Sequence, residues 1–309
     1  MKRALVTGGS GFLGSHIADT LSARGWAVTL FDRRPSPWRR PDQEMVVGDV
    51  LDQAAVGRAV EGAAAVYHLA ALADLEAARA RPLEAARTNV LGTVGLLEAA
   101  RAAGVERFLF ASTVYVYSRA GGFYRCSKQA CEAFIEEYRR QFGLPYTILR
   151  YGSLYGPRAD ESNGFYRLLK QAATEGRVRH EGSPDDVREY IHVEDAARLS
   201  ADALDPAHAD QHLILTGHHP TPIRDLFILF SEILGREIEV EVVPPREGAD
   251  DAHYRITPYA YSPRVGRKLT SNLTVDMGQG VLQLLAQIDR ERAAGEAAPA
   301  AKRPEARPR

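Results

Sequence analysis

Short apolar runs alternate with stretches of helical periodicity through the first half of the chain. Arg3-Ala4-Leu5-Val6-Thr7, Ala27 to Phe31, Val46-Val47-Gly48, Ala65 to Leu69, Phe108-Leu109-Phe110 and Thr147-Ile148-Leu149 read as strands. Between them the apolar spacing becomes helical, notably over Ser15 to Leu21, Val90 to Ala103 and Lys128 to Phe142. This alternation predicts an α/β fold, a Rossmann-type doubly wound parallel sheet over residues 1–150. Right-handed crossovers would then bring the strand carboxyl ends to one edge, where a nucleotide and Thr113 would meet. After Arg150 the pattern is irregular and punctuated by Gly156-Pro157 and further proline turns. A smaller, mixed α/β substrate-binding lobe is expected over 151–186 and 217–290, with a segment near 187–216 returning to the first domain. Residues 291–309 are rich in Ala, Pro, Arg and Glu and lack aromatics, so a disordered tail is expected there.

Composition narrows the function classes. The 309 residues carry a net charge of −1, with 45% hydrophobic and 26% charged residues, an ordinary globular balance without the basic excess of a nucleic-acid binder. The first strand begins almost at once, no secretory h-region precedes it, and no run approaches the roughly 20 apolar residues of a membrane span. A cytoplasmic protein with no membrane partner is expected. Cys126 and Cys131 are five positions apart on a predicted helix, which suits neither a disulfide framework nor a zinc site, and reads as two small packed residues. The histidines show no metal-ligand spacing, and His218-His219 reads as a surface turn. No metal is expected.

The first strand runs directly into Gly8-Gly9-Ser10-Gly11-Phe12-Leu13-Gly14 and then into helical periodicity. Glycines permit positive φ in the turn and a close backbone approach to a pyrophosphate, whose charge is favoured at a helix amino end. The second strand ends at Asp32, near the roughly 20-residue offset of a carboxylate that accepts from an adenine ribose. This is the context a dinucleotide fingerprint requires. Asp32 favours NAD, because it would repel a 2′-phosphate. Arg33 and Arg34 are the device that NADP enzymes use, and also read as a solvated charged turn.

Downstream, Tyr124-Arg125-Cys126-Ser127-Lys128 sets a tyrosine and a lysine one helical turn apart, on one face. A phenol titrates near ~10 and becomes a base at neutral pH only where a cation favours its ionised form. A Tyr-x-x-x-Lys match carries little alone and gains its force from the nucleotide loop before it.

Taken with Thr7 to Gly14, Gly48-Asp49-Val50, His68-Leu69-Ala70-Ala71, Asn89-Val90-Leu91-Gly92-Thr93, Arg150 to Pro157 and Arg188 to Asp195, this motif resembles the extended short-chain dehydrogenase/reductases of the nucleotide-sugar epimerase/dehydratase group. The resemblance covers roughly Lys2 to Leu284. It implies adenine contacts from Asp49 and Val50, pyrophosphate and ribose contacts from Leu69, Ala70 and Ala71, and further cofactor contacts from Gly8, Gly11, Phe12, Leu13, Gly14, Asp32, Arg33, Asn89, Lys128 and Tyr151. It implies that Arg188 grips the diphosphate of a nucleotide sugar, where a planar guanidinium fork suits phosphate. The alternative for Arg188 is a salt bridge with Asp186 or Glu189. Aligning Val116-Tyr117 with the family's Val-Tyr pair puts Thr113 in the place of the third catalytic group, with Ser112 as its fallback, and Tyr124 and Lys128 complete the set.

The resemblance also makes the positions after Thr113 diagnostic. Sugar dehydratases carry Asp-Glu there, and uronate decarboxylases a Glu before the Val-Tyr, whereas this chain has Val114 and Tyr115. Redox-only chemistry is implied: an NAD-dependent epimerase that inverts C4 of a nucleotide-diphosphate or nucleotide-monophosphate sugar through a transient keto sugar. A nucleotide-sugar dehydrogenase or reductase, a decarboxylase with Tyr115 as an unusual donor, and a non-catalytic dinucleotide sensor are the alternatives. Only eleven positions separate Thr113 from Tyr124, a shorter connection than the family's, so the lip over the pocket is truncated. Gly121-Gly122 is expected to make it flexible, Phe123 to pack and Arg125 to be exposed. Asn163 and Arg255 are expected to contact substrate, with Arg158 and His180 as further polar candidates and Tyr259 to Pro263 near the sugar nucleotide. The resemblance implies a homodimer through Val90 to Ala103 and Lys128 to Arg140.

Overall fold

The computed structural model describes residues 1–244 and Ile256. The first elements are strand β1 (Arg3–Thr7), helix α1 (Phe12–Ala23), strands β2 (Ala27–Asp32) and β3 (Gln43–Val47), helix α2 (Gln53–Val60) and strand β4 (Ala65–His68). Short helices α3 (Leu75–Ala80) and α4 (Pro82–Ala85) and a π-helical turn, Ala86–Leu91, lead into α5 (Gly92–Ala102). Strand β5 (Arg107–Thr113), a 3₁₀ turn (Val114–Tyr117), helix α6 (Gly122–Phe142) and strand β6 (Tyr146–Tyr151) follow. Beyond them lie β7 (Ser153–Tyr155), α7 (Gly164–Glu175), β8 (Arg177–Glu181), β9 (Val187–His192), α8 (Val193–Asp202), β10 (Gln211–Leu215), β11 (Pro220–Pro222), α9 (Ile223–Leu234) and β12 (Glu239–Val243).

Seven strands form one parallel sheet in the order β10-β6-β5-β4-β1-β2-β3, which is the Rossmann-type fold that the alternation of patterns predicts. Strands β7, β9 and β11 form a small mixed sheet, and β8 and β12 a parallel pair. Alternate side chains of the main sheet feed two cores. Phe108, Phe110 and Ile148 pack with Leu96, Leu97 and Ala100 of α5 and Cys131 and Ile135 of α6. Leu109, Leu149 and Tyr151 pack on the other face with Ala196, Ala197 and Ala201 of α8, in the same cluster as Ile17 and Leu21 of α1. The period of two therefore aims Ser112 at α6 and Thr113, its neighbour, to the opposite face at the strand end.

The strand order reverses between β1 and β4, where ligands of doubly wound sheets bind. Thr7 pairs with His68, His68 with Phe110, and Thr113 with Tyr151, so Gly8, Leu69 and Thr113 all leave the sheet at the same edge. Helix α6 starts at Gly122, six residues earlier than the apolar spacing suggests, because Gly121 at φ 89° turns the chain into its first turn. Leu97 is fully buried between α5 and the sheet, so Leu97→Ala should cost about 2–5 kcal/mol of unfolding free energy, read from urea denaturation, without altering the strand order.

Candidate active site at the strand ends

The glycine turn is built on close backbone approach. Gly8 has φ 72°, and a Cβ on it would lie 2.8 Å from the Ala70 amide nitrogen. A Cβ on Gly14 would lie 2.2 Å from the Gly8 carbonyl oxygen, so helix α1 rises directly off the turn. Gly11 precedes α1 without a side-chain cap, which leaves the first-turn N–H groups, near half-buried Phe12 and Leu13, unspent by any side chain. At the end of β2, Asp32 accepts from the Ser10 amide at 3.2 Å and the Arg34 amide at 3.3 Å, which holds its carboxylate beside the loop. Arg33 is exposed. An uncapped helix amino end, a cradle that any Cβ would fill and a carboxylate at the neighbouring strand end together fit NAD.

Behind the turn runs a directed chain of hydrogen bonds absent from the sequence reading. The Ala70 amide donates to Thr7 Oγ1 at 3.3 Å, and Thr7 Oγ1 lies 2.7 Å from His68 Nδ1. His68 Nε2 lies 2.9 Å from Thr93 Oγ1, which donates to the Asn89 carbonyl at 2.5 Å. Because Thr93 spends its proton on Asn89, His68 must donate through Nε2 and accept at Nδ1, the neutral tautomer. Burial, with the Lys128 charge adding to it, lowers the His68 pKa to about 3. The signal that could have found this chain was a histidine closing an otherwise apolar strand, level with Thr7.

Several of the expected site residues have polar partners within the protein itself. Asn89 lies in the π-helical turn, and its carboxamide accepts from the Leu72 amide at 2.7 Å and donates to Leu72 O and Ser127 Oγ. It ties Leu72 to α6. The Tyr151 hydroxyl meets Ser200 Oγ of α8 at 2.6 Å, which makes that side chain a link across the core. Ser112 donates to Glu132 at 2.5 Å. Asn163 caps α7 through the Tyr166 amide and donates to Leu154 O, so its polar atoms serve the fold. Asp49 accepts from the Leu51 amide at 2.9 Å in the turn after β3, and Val50 is buried against Gly92. Arg188 lies on β9 with its guanidinium 3.7 Å from Asp186 and donating to Val187 O, the acidic pairing left open above. Arg158 pairs with Asp19 at 2.7 Å, and His180 faces Ser183 O and Phe227. Arg255 and Tyr259 to Pro263 lie outside the described residues.

At the end of β5, Thr113 accepts from the Tyr115 amide at 3.2 Å and so starts the 3₁₀ turn. Tyr124 is half-buried in the first turn of α6, and Lys128 follows one turn later with its ammonium 5.7 Å from the Tyr124 ring centre. Lys128 Nζ donates to Ala111 O at 2.6 Å and lies over Phe110 at 4.5 Å. Burial brings its pKa down to about 8, with the charges of Cys131 and Glu132 opposing. Burial raises the Tyr124 phenol, and Cys131 adds in the same direction. The short connection is packed: Gly121 sits against the Tyr115 ring, Val114 and Ala120 pack together, and Arg125 donates to Ser118 O. Arg125 is half-buried where exposure was expected, and Phe123 is 51% exposed where packing was expected. Cys131 is buried, whereas Cys126 is exposed.

A family model described as the NAD dependent epimerase/dehydratase family matches residues 4–215. The chain belongs to this family. A UDP-glucose 4-epimerase of Mycolicibacterium smegmatis is 30% identical over 80% of this chain and 87% of its own length. A UDP-N-acetyl-alpha-D-glucosaminuronate decarboxylase of Bacillus cytotoxicus is 30% identical over 66% of the chain and 71% of its own. The structure of Thermus thermophilus UDP-glucose 4-epimerase in complex with NAD matches at TM-score 0.74 and 29% identity, covering 86% of this chain and 95% of that one. NAD is thus the cofactor of this epimerase/dehydratase family member, in keeping with Asp32 and the glycine cradle. Among the described residues no group of His, Cys, Asp and Glu could hold a metal ion, and no helix is long and apolar enough to cross a membrane.

Since the fold keeps His68 neutral to about 3 while the unfolded imidazole protonates near 6.5, the unfolded state binds the extra proton between these values. This stability is fully present above the unfolded pKa and is lost as pH falls, at up to about 1.4 kcal/mol per pH unit. Urea denaturation at neutral and acidic pH should show a steeper loss for the wild type than for His68→Gln.

Proposed function

We propose that this protein is an NAD-dependent nucleotide-sugar epimerase that inverts C4 of a UDP-sugar through a transient keto sugar. The observation that carries this reading is Thr113 at the end of β5 with Tyr124 and Lys128 one turn apart on α6, and Val114 and Tyr115 after Thr113 where elimination or decarboxylation would need a carboxyl group. Similarity to UDP-glucose 4-epimerases supports the nucleotide and the carbon.

In this mechanism Thr113 Oγ1 donates to the sugar C4 oxygen and orients it, and Tyr124 Oη takes the hydroxyl proton. NAD, which the glycine cradle and Asp32 would hold, would supply reversible hydride chemistry at the sugar carbon, on either face of the keto sugar. Tyr124 then gives its proton back, so neither protons nor electrons are gained or lost over the cycle. Burial of the phenol sets the difficulty of the proton step, and the Lys128 ammonium one turn away favours the phenolate. Lys128 would also hold the nicotinamide ribose. Arg188, steadied by Asp186, is assigned the substrate diphosphate.

The residues that α5 and α6 bury, among them Leu96, Leu97, Cys131 and Ile135, face the protein's own sheet, while Leu91, Phe134 and Phe142 are exposed. These outward apolar side chains support a homodimer through the two helices, and a strictly monomeric mass in light scattering at micromolar concentration would overturn it.

The substrate test is a panel of UDP-, GDP-, CMP- and dTDP-sugars with NAD, followed together by proton NMR of the sugar ring and by NADH absorbance. Inversion at C4 of a UDP-sugar without lasting NADH is expected. Stoichiometric NADH or released CO₂ would instead favour the dehydrogenase or decarboxylase reading. Tyr124→Phe should retain NAD binding and lose turnover by a factor of about 10² to 10⁴.

A further inference from the structure

Three contacts hold helix α6 to the end of β5 and the 3₁₀ turn after it. Lys128 donates to Ala111 O at 2.6 Å, Glu132 accepts from Ser112 Oγ at 2.5 Å, and Gln129 donates to Val116 O at 2.9 Å. Residues 128, 129 and 132 share one helix face by their i, i+3 and i, i+4 spacing. They bracket Thr113 on both sides, one turn after Tyr124. The distance between the helix that carries the phenol and the strand end that carries the threonine is thereby set at three points.

Glu132 has a second set of bonds. Its side chain is 8% exposed, and Arg150 of β6 grips it with Nε at 3.1 Å and Nη2 at 2.6 Å. Ser112 and Arg150 are register partners in the sheet, so both point to the same side chain of α6. Arg150 also donates to the Tyr117 hydroxyl, in the 3₁₀ turn after Thr113, and its guanidinium lies 4.7 Å from that ring centre. The same Arg150 Nη2 reaches His212 Nδ1 of β10 at 2.6 Å, and His212 Nε2 lies 3.0 Å from Glu136. The Glu132–Arg150 pair thus touches the residue before Thr113 and the turn after it.

A buried ion pair of this kind is a poor source of net stability, because desolvation offsets its attraction. Its geometry, by contrast, constrains the site. Resting on the epimerase reading above, we infer that Glu132 and Arg150 are positioning residues for the reaction, clamping the Thr113 strand end against the Tyr124 helix through Ser112 and Tyr117. Neither touches the reacting atoms. A reacting group displaced by roughly 1 Å can cost on the order of a hundredfold in rate, so an apolar pair of similar size would keep the fold and lose the alignment.

Two variants of the NAD-loaded protein test this. Ser112→Ala removes one bond of the clamp, and the double variant Glu132→Leu, Arg150→Met replaces the ion pair with apolar side chains. On the epimerised substrate, kcat should fall about tenfold for each, with KM and NAD affinity within about twofold of wild type. Titration of the Tyr124 phenol, read as the near-ultraviolet phenolate signal lost in Tyr124→Phe, should move to lower pH in both variants, because loosening α6 from the strand end admits water to a phenol that burial holds up. Wild-type kcat together with an unmoved titration would overturn the inference. So would a raised KM at unchanged kcat in Ser112→Ala, which would make Ser112 a substrate contact. Should the double variant fail to fold, Ser112→Ala decides alone. The titration requires no sugar, so it decides this inference even if the wild type inverts no member of the panel and the epimerase reading fails.

Discussion

Gly8 can lie against the Leu69–Ala70 backbone only because it has no side chain and adopts a positive φ, and the rest of the site is arranged around that approach. It occurs where the order of the parallel strands reverses between β1 and β4. There the two chain segments leave the sheet in diverging directions and open a crevice. The Thr7, His68, Thr93 and Asn89 chain fixes the same place from beneath, joining β1, β4 and the π-helical turn through one neutral imidazole. A buried imidazole of this kind is satisfied only when each partner supplies the correct donor or acceptor, so it specifies the relative placement of three segments.

On the other side of the crevice, α6 performs two tasks with one face. Its first turn carries Tyr124, and its second and third turns carry the contacts that hold β5 and the 3₁₀ turn after it. Lys128 belongs to both sets. Its buried ammonium lies near the phenol and is also bonded to the strand, so the electrostatics and the alignment of the site depend on the same side chain. The connection from Thr113 to Tyr124 is short, yet the 3₁₀ turn, the left-handed Gly121 and the packing of Val114 with Ala120 make it a defined piece of structure.

Family membership and the site support one another without being the same evidence. The family includes epimerases and decarboxylases at comparable identity to this chain, so the fold by itself does not select the reaction. The proposed distinction rests on the turn after β5, where Val114 and Tyr115 offer no carboxyl group and the nearby Glu132 is engaged with Ser112 and Arg150.

Much of this was legible in the chain itself. The alternation of apolar runs with helical spacing determined the parallel sheet, since each segment can bury its apolar side chains in only one kind of layer. The glycine turn, Asp32 and the Tyr124–Lys128 spacing also declared themselves, because local backbone geometry and a single helical turn govern them. What only the tertiary structure decided was the direction of side chains whose partners are distant in sequence. Ser112, Asn89, Tyr151 and Asn163 all stand in or beside motifs, and each spends its polar group on the protein itself. Strand register turned Ser112 towards Glu132 and left Thr113 at the edge, a difference of one residue that composition and motif cannot express. The partnership of Glu132 with Arg150 spans two elements that meet only when β6 pairs with β5, so the sheet had to form before the clamp could be seen.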